Sequence, residues 1–274
     1  GGGGGDGTAA PVPAPPASTV TPPAIQASTV NWNLSRVSPA EADTTVNAVE
    51  AILDHVFGDA AVQSAMLVKD GYIVGERYAE GIDANTLGTS WSVAKSYYSA
   101  AVGIAVDEGW ISSLDQPASD FFTEWEGSSK SDITIRDLLE MRSGLPASSR
   151  IFFAADQTAF SLDLNKTRPE GGTFVYSNPT SQLFEPLLLR STGLDAHSYL
   201  RQKLLSPIGI NVDQIGMWRD AVGNPVTYFG LDMRPEDMAR FGLLYARGGE
   251  WDGTQVVSES YVTASISAQS EFYG

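Results

Sequence analysis

Ser92-Val93-Ala94-Lys95 opens the most apolar stretch of the chain, which runs on through Ser96-Tyr97-Tyr98-Ser99-Ala100-Ala101-Val102-Gly103-Ile104-Ala105 to Trp110. Ala94, Ala100, Ala101 and Ala105 favour helix. Apolar residues on several faces predict a helix over 93–108 that is buried on most sides. Helical residues three apart share a face, so Ser92 Oγ and Lys95 Nζ can meet at its head. A serine hydroxyl needs a base within hydrogen-bond reach to act as a nucleophile. A lysine withdrawn from water is pushed towards its neutral form and can then take that proton. Alone, the pattern is weak: chance supplies about half a Ser-x-x-Lys in such a chain, and a capping serine with a solvated lysine is commonplace. Position favours chemistry, because the pattern occurs once and falls on the most apolar helix.

A second pattern, Tyr176-Ser177-Asn178, follows Gly171-Gly172-Thr173-Phe174-Val175. About 0.3 Tyr-x-Asn matches are expected by chance, and Asn178-Pro179 is an ordinary loop signal ahead of a helix. The functional reading puts the phenol in one hydrogen-bond network with Lys95 and Ser92, where it relays protons to a leaving group. The Asn178 amide then orients substrate or Lys95.

Ser-x-x-Lys followed by Tyr-x-Asn some eighty residues later resembles the serine β-lactamase-like superfamily of class C type. That group includes class C β-lactamases, D-alanyl-D-alanine carboxypeptidases, related esterases and 6-aminohexanoate-dimer hydrolases. The segments between and beyond the motifs are similar to it as well: Ala105-Val106-Asp107-Glu108-Gly109 with Ser113-Leu114-Asp115-Gln116-Pro117, Ile133 to Leu139 with Ser143-Gly144-Leu145, Leu205 to Ile210, and Met238 to Leu244. The co-linear set spans about residues 40–270 and is far more specific than either short motif. The resemblance implies an α/β (α+β) fold, an antiparallel sheet flanked by helices plus a mostly helical region, of β-lactamase/transpeptidase type. It implies two-step acyl transfer with Ser92 as nucleophile, Lys95 as base and Tyr176 moving protons, with no metal or organic cofactor. Asn178, Trp218 and Tyr228 are the candidate substrate-binding residues.

Composition narrows the partners. A formal net charge of −16 with no Lys/Arg stripe argues against nucleic acid and against an anionic membrane surface. The absence of cysteine removes disulfides, a thiol nucleophile and thiolate metal sites. His55 and His197, the two histidines, lie in separate predicted helices without ligand spacing and read as partly exposed helix residues. No Gly-x-Ser-x-Gly is present, which disfavours a Ser-His-Asp enzyme.

Residues 1–30 are Gly-, Pro- and Ala-rich with Asp6 as the only charge, and read as a disordered tether ahead of a hydrolase domain over 31–274. Neither a signal peptide nor an apolar run long enough to span a membrane is found. A Gly-rich tether beside a hydrolase resembles the start of a mature bacterial lipoprotein, so a lipid anchor upstream of residue 1 and a periplasmic or cell-envelope location are expectations from resemblance. Ser38-Pro39-Ala40-Glu41 reads as a capping box leading a helix through Val56. Ser64 to Val68 and Tyr72 to Val74 flank Asp70-Gly71, a strong hairpin signal. Further helices are predicted at 134–142, 180–192, 195–205 and 235–247.

One hairpin alone makes a marginal sheet. The family completes its sheet with strands preceded by a third motif, Lys/His-x-Gly, and this sequence has no Lys-Thr-Gly or His-x-Gly. The expectation is a C-terminally incomplete member whose absent part would supply one pocket wall and one of two oxyanion donors, Ser92 N–H being the other. The substrate class expected is a small ester or amide: esterase, short-amide hydrolase, carboxypeptidase and β-lactamase chemistries all fit. Against these stand a non-catalytic ligand-binding or sensing module that keeps the fold, and an extracytoplasmic structural protein. Trp91, Tyr97, Tyr98, Trp218, Tyr228 and Phe229 are the candidate pocket aromatics, with Trp218 and the loop to Phe229 favoured because loops ahead of a helix often rim sites. A nucleophile helix short of its sheet should be poorly stable, and a cooperative thermal transition without binding of an exposed-hydrophobe dye would overturn that expectation.

Overall fold

The computed structural model describes residues 30–270; the tether proposed for residues 1–30 therefore lies outside the described residues except for Val30. In chain order the elements are α1 (Val46–Val56), β1 (Ser64–Lys69), β2 (Tyr72–Tyr78), β3 (Gly88–Thr89), α2 (Ala94–Asp107), α3 (Ile135–Leu139), α4 (Gln157–Asp163), α5 (Asn178–Gln182), α6 (Phe184–Thr192), α7 (Ala196–Leu200), β4 (Gly216–Met217), β5 (Leu231–Met233), α8 (Pro235–Ala246), β6 (Glu250–Trp251), β7 (Thr254–Gln255) and α9 (Glu259–Ser265).

The Asp70-Gly71 signal makes the hairpin it predicts. Both residues take positive φ, 51° and 79°, and Lys69 faces Tyr72 across a two-residue turn. Its side chains alternate between two apolar layers. Ala65, Leu67, Tyr72 and Val74 meet Val49 and Leu53 of α1, whereas Met66, Val68 and Ile73 join the main core. Burial on both faces explains why the strand reads as a nearly unbroken apolar run. β1 pairs only with β2 among the described residues, so its outer edge carries no neighbour.

Other strands were not anticipated. β3, β5 and β4 form a small antiparallel sheet in that order, and β6 and β7 close on Asp252-Gly253, a second two-residue turn with positive φ at both positions. Each of these five strands is two or three residues long, too short for a two-residue periodicity to stand out. The helix predicted from Ser38 to Val56 is broken. A single 3-10 turn, Pro39–Ala42, ends at Asp43 with φ 54°, and α1 restarts behind Thr45, whose hydroxyl accepts from Ala48 N at 3.1 Å. Aspartate tolerates the left-handed region through local hydrogen bonding. Likewise Met141, φ 54°, follows the short α3, and Leu183 divides the predicted 180–192 helix into α5 and α6. The predicted 195–205 helix is α7 followed by a π-helical turn, Arg201–Leu205. α4 and α9 were not anticipated.

α2 is the centre of the molecule. Its Ala94, Tyr97, Tyr98 and Ala100 to Ala105 are buried against α6, α7 and the π-helical turn, while Phe241 of α8 stacks on Tyr97 at 3.9 Å between ring centroids. The helix is thus covered without a large sheet behind it. Tyr97 and Tyr98 belong to this core and not to a pocket wall, a correction that follows from their position on buried faces of α2. Tyr261 of α9 lies on Gly103, and its hydroxyl donates to the Ser99 carbonyl at 2.7 Å. A Cβ on Gly103 would sit 2.6 Å from that ring. Alanine gains about 1 kcal/mol of helix propensity over glycine, but overpacking costs about 1–3 kcal/mol. Because the ring is buried and tied by its hydroxyl, the clash wins. Gly103→Ala is expected to lower the urea unfolding midpoint; an unchanged or raised midpoint would show that α9 yields freely.

Candidate active site

Two hydrogen bonds place the turn that carries Ser92. Ser90 N donates to the Leu231 carbonyl at 2.7 Å, and Leu231 N donates to Ser90 Oγ at 3.2 Å, which extends the β3–β5 pairing into the turn Trp91–Val93. Trp91 takes φ 45° there, a conformation that costs a non-glycine residue about 1–3 kcal/mol and persists only when its surroundings hold it. Ser92 follows on the surface, directly ahead of α2, where N–H groups have no acceptor within the helix.

Lys95, one turn on, donates from Nζ to Ser92 Oγ at 3.0 Å and to the Tyr228 carbonyl at 3.0 Å. Its second partner comes from the segment leading to β5, 133 residues away in sequence. Tyr176 reaches the same serine from a third direction, its hydroxyl donating to Ser92 Oγ at 2.7 Å. The loop before α5 holds it there. Val175 N donates to the Met141 carbonyl at 2.9 Å, the Arg142 guanidinium binds the carbonyls of Gly171 and Gly172, and Ser177 Oγ accepts from Thr180 N at 3.1 Å as the cap of α5.

No carboxylate forms an ion pair with Lys95 among the described residues; its hydrogen bonds go to a hydroxyl and a carbonyl. Burial therefore pulls its pKa below the usual lysine value, opposed only partly by the Tyr176 oxygen. For Tyr176, burial pulls upward, but hydrogen bonds with Lys95 and Ser92 and the nearby ammonium together outweigh it, and the net direction is down. The Lys95 Nζ also stands 4.8 Å from the Tyr176 ring centroid. Two proton-carrying groups thus converge on the Ser92 oxygen.

A family model named Beta-lactamase matches residues 49–269, more than half of the chain. The chain belongs to the beta-lactamase family. Its fold is the one seen in a protein described as a 6-aminohexanoate-dimer hydrolase from Bacillus anthracis, at 19% identity and TM-score 0.67 over 77% of this chain and 61% of that one. It is also seen in an octameric penicillin-binding protein homologue from Pyrococcus abyssi, at 21% identity and TM-score 0.63 over 84% of this chain and 63% of that one. A penicillin-binding protein homologue from Caulobacter crescentus matches at 18% identity and TM-score 0.63, over 83% and 75% of the two chains. The chain spans less than two thirds of the length of the first two. No curated protein matches it in sequence. Members of this superfamily are usually serine hydrolases.

The structure brings Ser92, Lys95, Tyr176 and Tyr228 together. Tyr228 is 1% exposed, with its hydroxyl on Gln157 Oε1 at 3.0 Å, so it meets Lys95 chiefly through its backbone carbonyl. Asn178 begins α5, half-buried, and its amide makes no hydrogen bond among the described residues. Trp218 lies apart from Ser92, across Phe229, with its indole N–H on Asp232 Oδ2 at 2.8 Å. Phe152 touches both Tyr228 and Phe229; the sequence reading missed it, although Ile151-Phe152-Phe153 is a conspicuous apolar run in a loop. A cavity of about 580 Å³ opens on the other side of Lys95, between α2 and α9 and lined by Ser99, Phe174, Tyr245, Tyr261 and Ile266, but it does not reach Ser92. Among the described residues no His/Cys/Asp/Glu group has the arrangement to hold a metal ion.

His197 is 3% exposed, which corrects the expectation of a partly exposed residue. It bridges α2 to the Trp218 segment. Nε2–H donates to the Trp218 carbonyl at 2.8 Å, which leaves Nδ1 to accept from the Tyr98 hydroxyl at 2.6 Å. The signal that hides this role is distance in sequence, because His197 and Trp218 sit on different elements. Burial lowers its pKa from 6.5 to about 4. Between those values the unfolded chain takes up a proton that the folded chain refuses, so this contribution to stability is full above pH 6.5 and declines as pH falls towards 4. The decline amounts to about 3 kcal/mol at most. Urea unfolding followed across that window should lose this extra slope in His197→Gln; an identical slope in both proteins would refute the neutral bridge.

Proposed function

We propose that this family member is a serine acyl hydrolase acting on a small ester or amide. One observation carries the reading: Lys95 Nζ and the Tyr176 hydroxyl both lie within hydrogen-bond distance of Ser92 Oγ, and among the described residues Lys95 has no carboxylate to keep it charged. Neutral Lys95 takes the Ser92 proton as Oγ bonds to the substrate carbonyl carbon. The oxyanion forms beside the Ser92 N–H at the helix head, where the macrodipole favours negative charge. The proton passes by way of Tyr176 to the leaving oxygen or nitrogen as its bond to carbon breaks. Water then attacks the acyl-serine carbon, and its proton passes through the Lys95–Tyr176 pair to Ser92 Oγ as the bond between that oxygen and the acyl carbon breaks, which releases the acid and restores the Ser92 hydroxyl. Asn178, at the start of α5 and two residues after Tyr176, is the residue assigned to bind substrate.

The second reading is a ligand-binding module that keeps the fold without turnover, and the idle Asn178 amide favours it. Work outside the cytoplasm, in the periplasm or at the cell envelope, fits a family whose members are often extracytoplasmic. Among the described residues no helix is long and apolar enough to cross a membrane.

Exposure to a fluorophosphonate should add one adduct by intact mass, absent in Ser92→Ala; a folded protein that takes no adduct would favour the binding module. The labelling rate should rise with pH as Lys95 loses its proton, with an inflection below the ordinary lysine value of 10.5. Lys95→Arg keeps the charge and should slow labelling by about 100-fold or more. Tyr176→Phe should reduce the plateau rate and move the inflection to lower pH, since Tyr176 supports the ammonium. An inflection that stays put or moves upward would remove Tyr176 from the network.

A further inference from the structure

Large aromatic side chains are left on the surface between the turn that carries Ser92 and the Trp218 segment. Trp91 is 69% exposed, Phe152 50% and Trp218 49%. They surround Phe229, whose ring centroid lies 6.4 Å from Trp91, stacked, 5.2 Å from Trp218, edge-on, and 6.1 Å from Phe152. A contiguous apolar surface of this kind marks a binding site more often than chance exposure.

The shelf is built and held. Trp91 adjoins the nucleophile in the chain and takes its left-handed conformation while its indole stacks on Phe229. Trp218 is tied at both ends: its N–H donates to the Gly230 carbonyl at 3.1 Å, its carbonyl accepts from His197, and its indole N–H donates to Asp232. Gly230, φ 84°, makes room for it, since a Cβ there would stand 2.7 Å from Trp218 Cγ. Phe229 follows Tyr228, whose carbonyl accepts from Lys95. The shelf is therefore continuous with both members of the Ser92–Lys95 pair.

We infer that this shelf of Trp91, Phe152, Trp218 and Phe229 receives the acyl group of the substrate, and that this group is a flat, neutral, aryl or arylalkyl moiety. The inference rests on the acyl transfer proposed for Ser92. Side follows from the proton path. Tyr176 carries the proton for the departing atom, so the leaving group belongs with Tyr176, and the surface built on residues 91 and 229 is left for the acyl portion. Chemistry follows from the lining: rings offer stacking and edge contacts, and Asp232 behind Trp218 opposes a carboxylate.

The test varies the acyl group at a fixed leaving group. p-Nitrophenyl acetate, butyrate, benzoate and phenylacetate are compared, each rate divided by that of hydroxide alone. The aromatic acyl esters should exceed acetate in kcat/KM by about tenfold, and that ratio should collapse towards one in Phe152→Ala, a half-exposed position, and in Phe229→Ala. A preference that follows the leaving group in a second series of acetate esters, or no preference at all, overturns the assignment. A readout without turnover keeps the two ideas apart. Phenylacetamide titrated into Ser92→Ala should change tryptophan fluorescence saturably, and the change should be lost when Phe152→Ala is added. Saturable binding with no fluorophosphonate adduct on the native protein would keep the shelf and remove the chemistry. An adduct without acyl discrimination or binding would keep the chemistry and remove the shelf.

Discussion

Lys95 Nζ holds the site together because it has no anion to lean on among the described residues. Its two hydrogen bonds end on Ser92 Oγ and on the Tyr228 carbonyl, and the Tyr176 ring lies against it. A lysine so placed stays withdrawn from water only if the helix beneath it is rigid and buried. That explains the run of small residues in α2: alanines at 100, 101 and 105 let α6 and α7 approach closely, and their burial anchors the helix whose head carries the serine. Burial of α2 and depression of the Lys95 pKa are two consequences of one packing arrangement.

The polar links around the site all serve to fix separate chain segments against that helix head. Ser90 and Leu231 exchange hydrogen bonds and so fasten the Tyr228–Met233 segment beside the turn that carries Ser92. The loop ending in Tyr176 is fastened by Arg142 and Val175 to the Met141–Arg142 backbone. His197 fastens the Trp218 segment to Tyr98 on the back of α2. Each of these links includes a donor on a backbone carbonyl: Ser90 N on Leu231, Val175 N on Met141, and His197 Nε2 on Trp218. The aromatic surface that results is tied at Trp218 by three hydrogen bonds and runs to Trp91, the residue before Ser92.

The structural neighbours share the fold at 17–21% identity, which leaves the substrate to local features. Those features here are the aromatic ring cluster and an Asn178 amide without a partner among the described residues. The outer edge of β1 likewise carries no neighbouring strand among them.

Several things were legible in the chain alone because they are local. Ser92 and Lys95 are three apart on a helix, so their meeting needs only helical geometry, and Asp70-Gly71 makes its hairpin because both residues accept positive φ. The co-linear motifs identified the family that the matching model shows. Tertiary structure decided the rest. Strands of two or three residues have no readable period, and Asp43, Met141 and Leu183 break or end helices that apolar periodicity extends through. Which aromatics are core and which are exposed depended on rotation about α2 and on contacts between separate segments: Tyr97 and Tyr98 turn inward, Tyr228 lends Lys95 its carbonyl, and Phe229 gathers Trp91, Phe152 and Trp218. A sequence specifies the contacts a turn of helix can make; contacts between distant segments exist only once the chain has closed around its core.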